Sequence, residues 1–374
     1  MSNRHEMKQM ESPFEYLRRK DGSAFETETV MNWYKARAYV LDKLKDVAFG
    51  IGSGQHLQVV LDGDSPRMLS VARQVALSAH FVNYDEDAEL EAKHRTVITL
   101  MSERENIVEE LEKEEFLSNL PKCCMLTIFD SKPLRSDSYV DIELRVVHSW
   151  ESDADSVCVV MPEAEVNAFF DSIASAEACK IDTRMAVLVG RIYNLGTLID
   201  CLPYEDVHNP HRYALALDSY QYDLLCREFS PLVVDSSWKG NLTKVKGGLS
   251  NIFCSDCFAT RAREMALSGK GGNRRETPWE RYDEALSKSE HARWVADKLI
   301  MGYRPLNDAE RFQEESLFGN MRNQYRKQLK NNASDPVHID LCSYRDLRRI
   351  DPDSLKYDSF LMLSIPGILK RVSG

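Results

Sequence analysis

The chain has 374 residues, enough for two ordinary domains, and its 43% hydrophobic and 29% charged residues describe a globular protein. Its formal net charge of −11 argues against a nucleic-acid backbone or an anionic membrane surface as the main partner, because both reward an excess of Lys and Arg. The longest apolar runs, such as Met185–Gly190, fall far short of the ~20 residues of a membrane helix, no signal-peptide pattern opens the chain, and nine scattered cysteines fit a reducing, cytoplasmic setting.

Residues 1–25 are polar and charged and read as an arm. From Val30 to Val47, Trp33, Tyr34, Tyr39, Val40, Leu41 and Leu44 recur at helical spacing, and Gly50–Gly54 ends that helix. Leu57–Leu61 is an apolar run of the buried-strand type, which leads through Gly63-Asp64-Ser65-Pro66 into a helix reaching His80. Thr96–Met101 is predicted as a second strand, Glu103–Leu120 as a polar helix and Cys124–Phe129 as a third strand. Tyr139–Val147 and Val157–Met161 read as further strands, Glu163–Ala178 as an amphipathic helix, Met185–Val189 as another strand and Tyr213–Phe229 as a helix. Strands alternating with helices predict an α/β fold, a Rossmann-like domain whose mainly parallel sheet carries helices on both faces. Trp238–Gly248 is the predicted linker, and the chain beyond it is mostly helical. The expected organisation is an arm and lead-in helix over 1–50, a Rossmann-like domain over 51–235 and a helical domain over 236–374.

Leu57–Phe81 (LQVVLDGDSPRMLSVARQVALSAHF), with Arg95–Leu100 after a loop, resembles the first β-α unit of TrkA-N/RCK-type Rossmann domains. That resemblance implies a nucleotide at a glycine-rich turn, where backbone approaches a pyrophosphate at a helix N-terminus. The three glycine positions hold Gly63, Ser65 and Met68, and Ser102 takes the place of the ribose-holding acid, with Glu103 next to it. These are the cofactor-binding candidates, and their departures from the fingerprint leave the cofactor undetermined. Asp62 and Asp64 would repel a phosphate unless a cation intervened. Gly190–Gly196 matches no phosphate loop and reads better as a connection.

Further on, Tyr282–Pro305 (YDEALSKSEHARWVADKLIMGYRP) carries Leu286, Val295 and Leu299 on one helical stripe and His291, Trp294 and Lys298 on another, with Gly302 as the stop. The residues alone fit a core tryptophan with a hydrogen-bonded histidine as readily as a binding face. The spacing of Glu290-His291, Trp294, Lys298 and Gly302-Tyr303 resembles the RyR domain, a helical module named after ryanodine receptors and also found in bacterial proteins. His338-Ile339-Asp340-Leu341, Ser343–Leu347, Lys356-Tyr357-Asp358 and Ile365-Pro366 look like its second half, and Leu249–Gly269 resembles the helix that precedes it. The resemblance implies a sensor of a nucleotide-like small molecule, in nucleotide signalling or antiviral (phage) defence; the Rossmann-type resemblance implies a homodimer, and a protein partner is a further expectation. Its implied ligand-binding residues are His291, Arg293, Trp294, Lys298, Tyr303 and Arg304: the rings to stack on a base, the cations to meet phosphates.

No nucleophile–base–orienter set, zinc-protease motif or Walker loop occurs, so no catalytic residue is assigned. Cys254 and Cys257 read as buried thiols, and His208 and His211 in HNPH as a surface turn rather than a metal site. Arg322, Arg326, Lys327 and Lys330 form a basic helical face, either solvated or the contact for a phosphate or acidic partner. The sequence thus points first to a non-enzymatic cytosolic ligand sensor. An enzyme using a dinucleotide in the altered Rossmann cleft and a protein-binding scaffold are the alternatives.

Overall fold

The computed structural model describes residues 27–89, 93–112, 120–129, 140–178, 245–268, 278–332, 335–355, 357–359, 361–362 and 365. The predicted arm 1–25, the strand Met185–Val189, the Gly190–Gly196 connection, His208 and His211, the helix Tyr213–Phe229 and residues 238–244 of the linker lie outside these. The other four residues of the predicted linker, 245–248, are helical and open the long helix that follows.

The element order is α1 (Thr27–Lys43), β1 (His56–Asp62), α2 (Pro66–Ser78), β2 (Thr96–Met101), α3 (Ile107–Glu112), β3 (Met125–Ile128), β4 (Ile142–Val147), β5 (Ser156–Pro162), α4 (Glu163–Ser172) and α5 (Ser175–Ala178). The helical part follows as α6 (Val245–Ser268), α7 (Pro278–Ile300), α8 (Asp308–Ser316), α9 (Gly319–Lys330) and α10 (Tyr344–Ile350). The five strands form one all-parallel sheet in the order β3-β4-β2-β1-β5. This is the expected α/β architecture. The third strand nevertheless sits at the edge, outside the fourth, so the order is not the simple outward progression of a Rossmann half.

Apolar patterning explains the centre of the sheet. Leu57, Val59, Val60 and Leu61 of β1 are all buried, as befits a parallel strand covered on both faces. Gln58 is the polar exception, and it is satisfied. Its amide donates to the Glu151 carbonyl at 3.1 Å, and its Oε1 accepts from the Asp153 N–H at 3.0 Å, fixing the loop that feeds β5. Pro66 starts α2 at a position that needs no N–H partner, and every residue from Met68 to Ser78 is buried. That helix contacts β1 and β2 as well as α1, α4, α6 and α7.

A continuous hydrophobic core therefore runs from Trp33 and Tyr39 of α1, through α2 and the sheet, to Phe253 of α6 and Val295 and Leu299 of α7. Charged residues accompany it. Arg37 of α1 donates Nε to Asp256 of α6 at 2.8 Å, and Glu264 of α6 accepts from the Val82 backbone and from Arg261. The helical part is consequently welded to the sheet by buried carboxylates and guanidinium groups, each paired across an element boundary or along one helix.

Candidate ligand site

Two places deserve comparison, the carboxyl edge of the sheet and the end of α7. At the sheet, β1 lies between β2 and β5, so the strand order reverses there and the crevice between β1 and β5 is where an open α/β sheet takes its ligand. The turn after β1 has Gly63 at φ +136°, and a Cβ added there would lie 2.9 Å from the Glu163 Cβ and closer still to Oε2 of that side chain. Glu163 is the first residue of α4. The chain thus brings its own carboxylate to the helix N-terminus where a pyrophosphate would be expected.

The neighbouring groups are also engaged. Asp64 accepts from Ser102 Oγ and, at 2.8 Å, from Arg104 Nε. Met68 is fully buried in the core, and Ser65 keeps a buried hydroxyl without a partner among the described residues. Of the cofactor-binding candidates, Gly63, Ser65 and Ser102 therefore sit at the expected edge, while Met68 faces inward.

At the other place, α7 ends in a Schellman motif. Gly302 adopts φ +86°, its N–H reaches the Leu299 carbonyl at 3.0 Å, and the Tyr303 N–H reaches the Lys298 carbonyl at 2.9 Å. The chain then folds back. Arg304 N–H donates to the Pro336 carbonyl at 3.0 Å and accepts through its own carbonyl from His338 N–H at 3.1 Å, a short parallel bridge that lays residues 337–338 beside 303–304. Asn307 and Glu310 form a capping box that starts α8.

This fold-back assembles rings and cations from separate segments. The half-buried Trp294 ring meets His338 edge-on at 4.8 Å and stacks with His291 at 6.0 Å; Tyr303 reaches His338 at 6.2 Å. The Lys298 ammonium stands 5.6 Å over the Trp294 ring, and Asp297, which it approaches at 3.2 Å, is shared with Arg293. Burial lowers the Lys298 pKa even so. Lys330 at the end of α9 is lowered too, because the surrounding chain takes water from its ammonium although the side chain as a whole is exposed. Burial, with Lys330, Lys298 and His291 nearby, drives the His338 pKa well below the ordinary value, so its ring is neutral. Asp340 is pushed up to about 7 by burial and by Asp351, and its buried Oδ1 has no hydrogen-bond donor among the described residues.

His291, Trp294, Lys298 and Tyr303 are thus brought together. Arg293 and Arg304 are not. Arg293 is fully buried, with Nε 2.9 Å from Glu290 Oε2 and Nη1 3.1 Å from Asp297 Oδ2, out of reach of any ligand phosphate. Arg304 turns to Glu310 at 2.6 Å and Asp335 at 2.7 Å, where it ties the fold-back to α8. Sequence reading left His338 and Asp340 out of the site and named Lys330 only within the basic helical face that could meet a phosphate or acidic partner. His338 and Asp340 stood inside a quoted motif, but nothing in their spacing shows that the bridge at Arg304 carries them to α7.

His291 is more anchor than ligand group. Its Nε2 faces the Cys342 carbonyl at 2.9 Å and its Nδ1 faces Asp358 at 3.5 Å, so both ring nitrogens need protons. Burial opposes the charge, but the Asp358 and Cys342 bonds prevail and raise its pKa to about 10. A histidine raised from about 6.5 in the unfolded chain contributes stability that is complete below that pH and is lost as pH climbs toward about 10. The urea midpoint is therefore expected to fall between these limits, and His291→Gln should flatten the fall. A midpoint that rises over the same window would contradict the charged-imidazole assignment.

Among the described residues no helix is long and apolar enough to cross a membrane, and no three His, Cys, Asp or Glu side chains come together as a metal site. Cys254 and Cys257 are buried thiols with raised pKa values, because burial disfavours the thiolate. Compared with protein-family models, with curated proteins and with solved structures, the chain matches none. Function is therefore read from the geometry.

Proposed function

We propose that the protein is a non-enzymatic sensor that binds a nucleotide-derived small molecule on the RyR-like end of α7, with the parallel-sheet domain as its platform. The observation that carries this reading is Lys298, a buried ammonium on the face of a half-exposed tryptophan, whose one close carboxylate among the described residues is shared with Arg293. A lysine held with a lowered pKa is a cost to the empty protein, and an anionic ligand relieves it. A base has the exposed part of the Trp294 ring to pack on, phosphates have Lys298 and Lys330, and an N–H or O–H has the Asp340 oxygen that lacks a donor among the described residues. Supporting the same choice, Glu163 fills the turn at Gly63 that a dinucleotide would need.

Thermal denaturation with NAD(H), ATP, ADP-ribose and linear and cyclic oligonucleotides tests the proposal. A ligand at 100-fold over its Kd should stabilise by about 2.7 kcal/mol and move the melting midpoint by a few degrees. Lys298→Ala is expected to abolish that shift while the unliganded protein keeps its fold, since the change removes an imperfectly compensated buried charge. A shift that survives Lys298→Ala would overturn the assignment.

A further inference from the structure

The α8–α9 hairpin and α10 enclose a groove of about 210 Å³ that belongs to neither place described above. Leu306 and Ile350 give it an apolar floor; Arg311, Arg322 and Arg349 line it together with Glu314 and Glu315. Glu314 is buried and already committed, accepting from Arg322 and Arg326 at 2.6 Å each. Arg311 makes no ion pair among the described residues, and Arg349 approaches only Asp346, at 3.8 Å. Two guanidinium groups are therefore weakly engaged at an apolar floor.

The same hairpin carries the most exposed large apolar side chains of the described structure. Phe312 is 77% exposed, Phe318 77% and Met321 61%. Phe312 follows Arg311 on α8, and Phe318 and Met321 flank the start of α9 just before Arg322. Phe318 occupies the N-cap of α9, where a side chain that accepts a hydrogen bond would serve folding better, and it makes no cap bond. Exposed apolar groups on the hairpin that forms the groove, one of them at an N-cap it does not serve, mark a contact surface.

We propose that this groove and its aromatic rim dock an acidic segment of a partner protein. Its carboxylates would meet Arg311 and Arg349, its apolar side chain would rest on Leu306 and Ile350, and flanking residues would cover Phe312, Phe318 and Met321. The charge pattern selects this occupant. A free small anion would leave Phe312, Phe318 and Met321 unused, and a flat membrane surface would not reach the apolar floor at Leu306, which is buried.

Selection of phage-displayed random dodecapeptides on the immobilised full-length protein tests this. The expected result is enrichment of sequences that combine Asp or Glu with a large apolar residue. Retention of the selected clones should fall about tenfold on Arg311→Glu/Arg349→Glu, as expected when charges at an interface are reversed, and fall again on Phe318→Ser, with both variants melting near the parent. No enrichment of acidic-apolar sequences, or equal retention on both variants, would overturn the proposal. So would sedimentation showing self-association, or binding to phosphatidylserine vesicles, that Phe318→Ser removes while peptide retention is unaffected.

Discussion

Arg293→Ala is expected to be among the most damaging single substitutions in the helical part, costing about 3–5 kcal/mol, the range for breaking a buried ion pair from one side. Glu290, Arg293 and Asp297 are each wholly buried, and the guanidinium pairs with both carboxylates. Removing it strands Glu290 in a low-dielectric interior with Cys254 as a neutral donor, and leaves Asp297 only Lys298 at 3.2 Å and the Ser250 hydroxyl. Against a typical total stability of 5–15 kcal/mol, the loss should be plain in a urea titration. A variant that keeps its midpoint and loses only nucleotide binding would instead return Arg293 to the ligand site.

Gly63→Ala is the second large effect, at the carboxyl edge of the sheet. The turn needs φ +136°, which costs a side-chain-bearing residue about 1–3 kcal/mol, and the new methyl group would overlap Glu163 down to its Cβ. Together these should destabilise by about 2–5 kcal/mol. Glu163→Ala should recover the overlap with the carboxyl group and leave the Cβ contact and the part due to φ, so the double-mutant cycle should show coupling of about 1 kcal/mol or more. Purely additive effects would mean that Glu163 does not fill the turn in solution.

Much of this architecture was legible because it is local. The β-branched and apolar run Thr96–Met101 predicts β2 with its observed bounds, and the Gly302 stop predicts the end of α7. The lead-in helix and the strands after it follow from the same periodicities. What could not be read depends on distant pairing. Glu163 lies a hundred residues beyond Gly63, and only the parallel register of β1 with β5 brings them together. His338 reaches Trp294 through a two-bond bridge at Arg304.

Arg293 is the more instructive case. Its neighbours Glu290 and Asp297 sit at the i−3 and i+4 spacings that pair along one helix, a signal present in the sequence. The resemblance to a ligand-binding module drew the residue outward, whereas helical geometry turns it in toward α6.

The proposed ligand position, at the end of α7 and not in the sheet crevice, is open to direct labelling. Photo-crosslinking of the intact protein with an 8-azidoadenine analogue of whichever nucleotide stabilises it, followed by peptide mapping, tests this most directly. Label is expected on peptides spanning 291–303 or 330–340, with protection there by excess unlabelled nucleotide. Label confined to peptides spanning 62–68, 102–104 or 163–167, with the α7 peptides unmarked, would contradict it and place the ligand on the sheet.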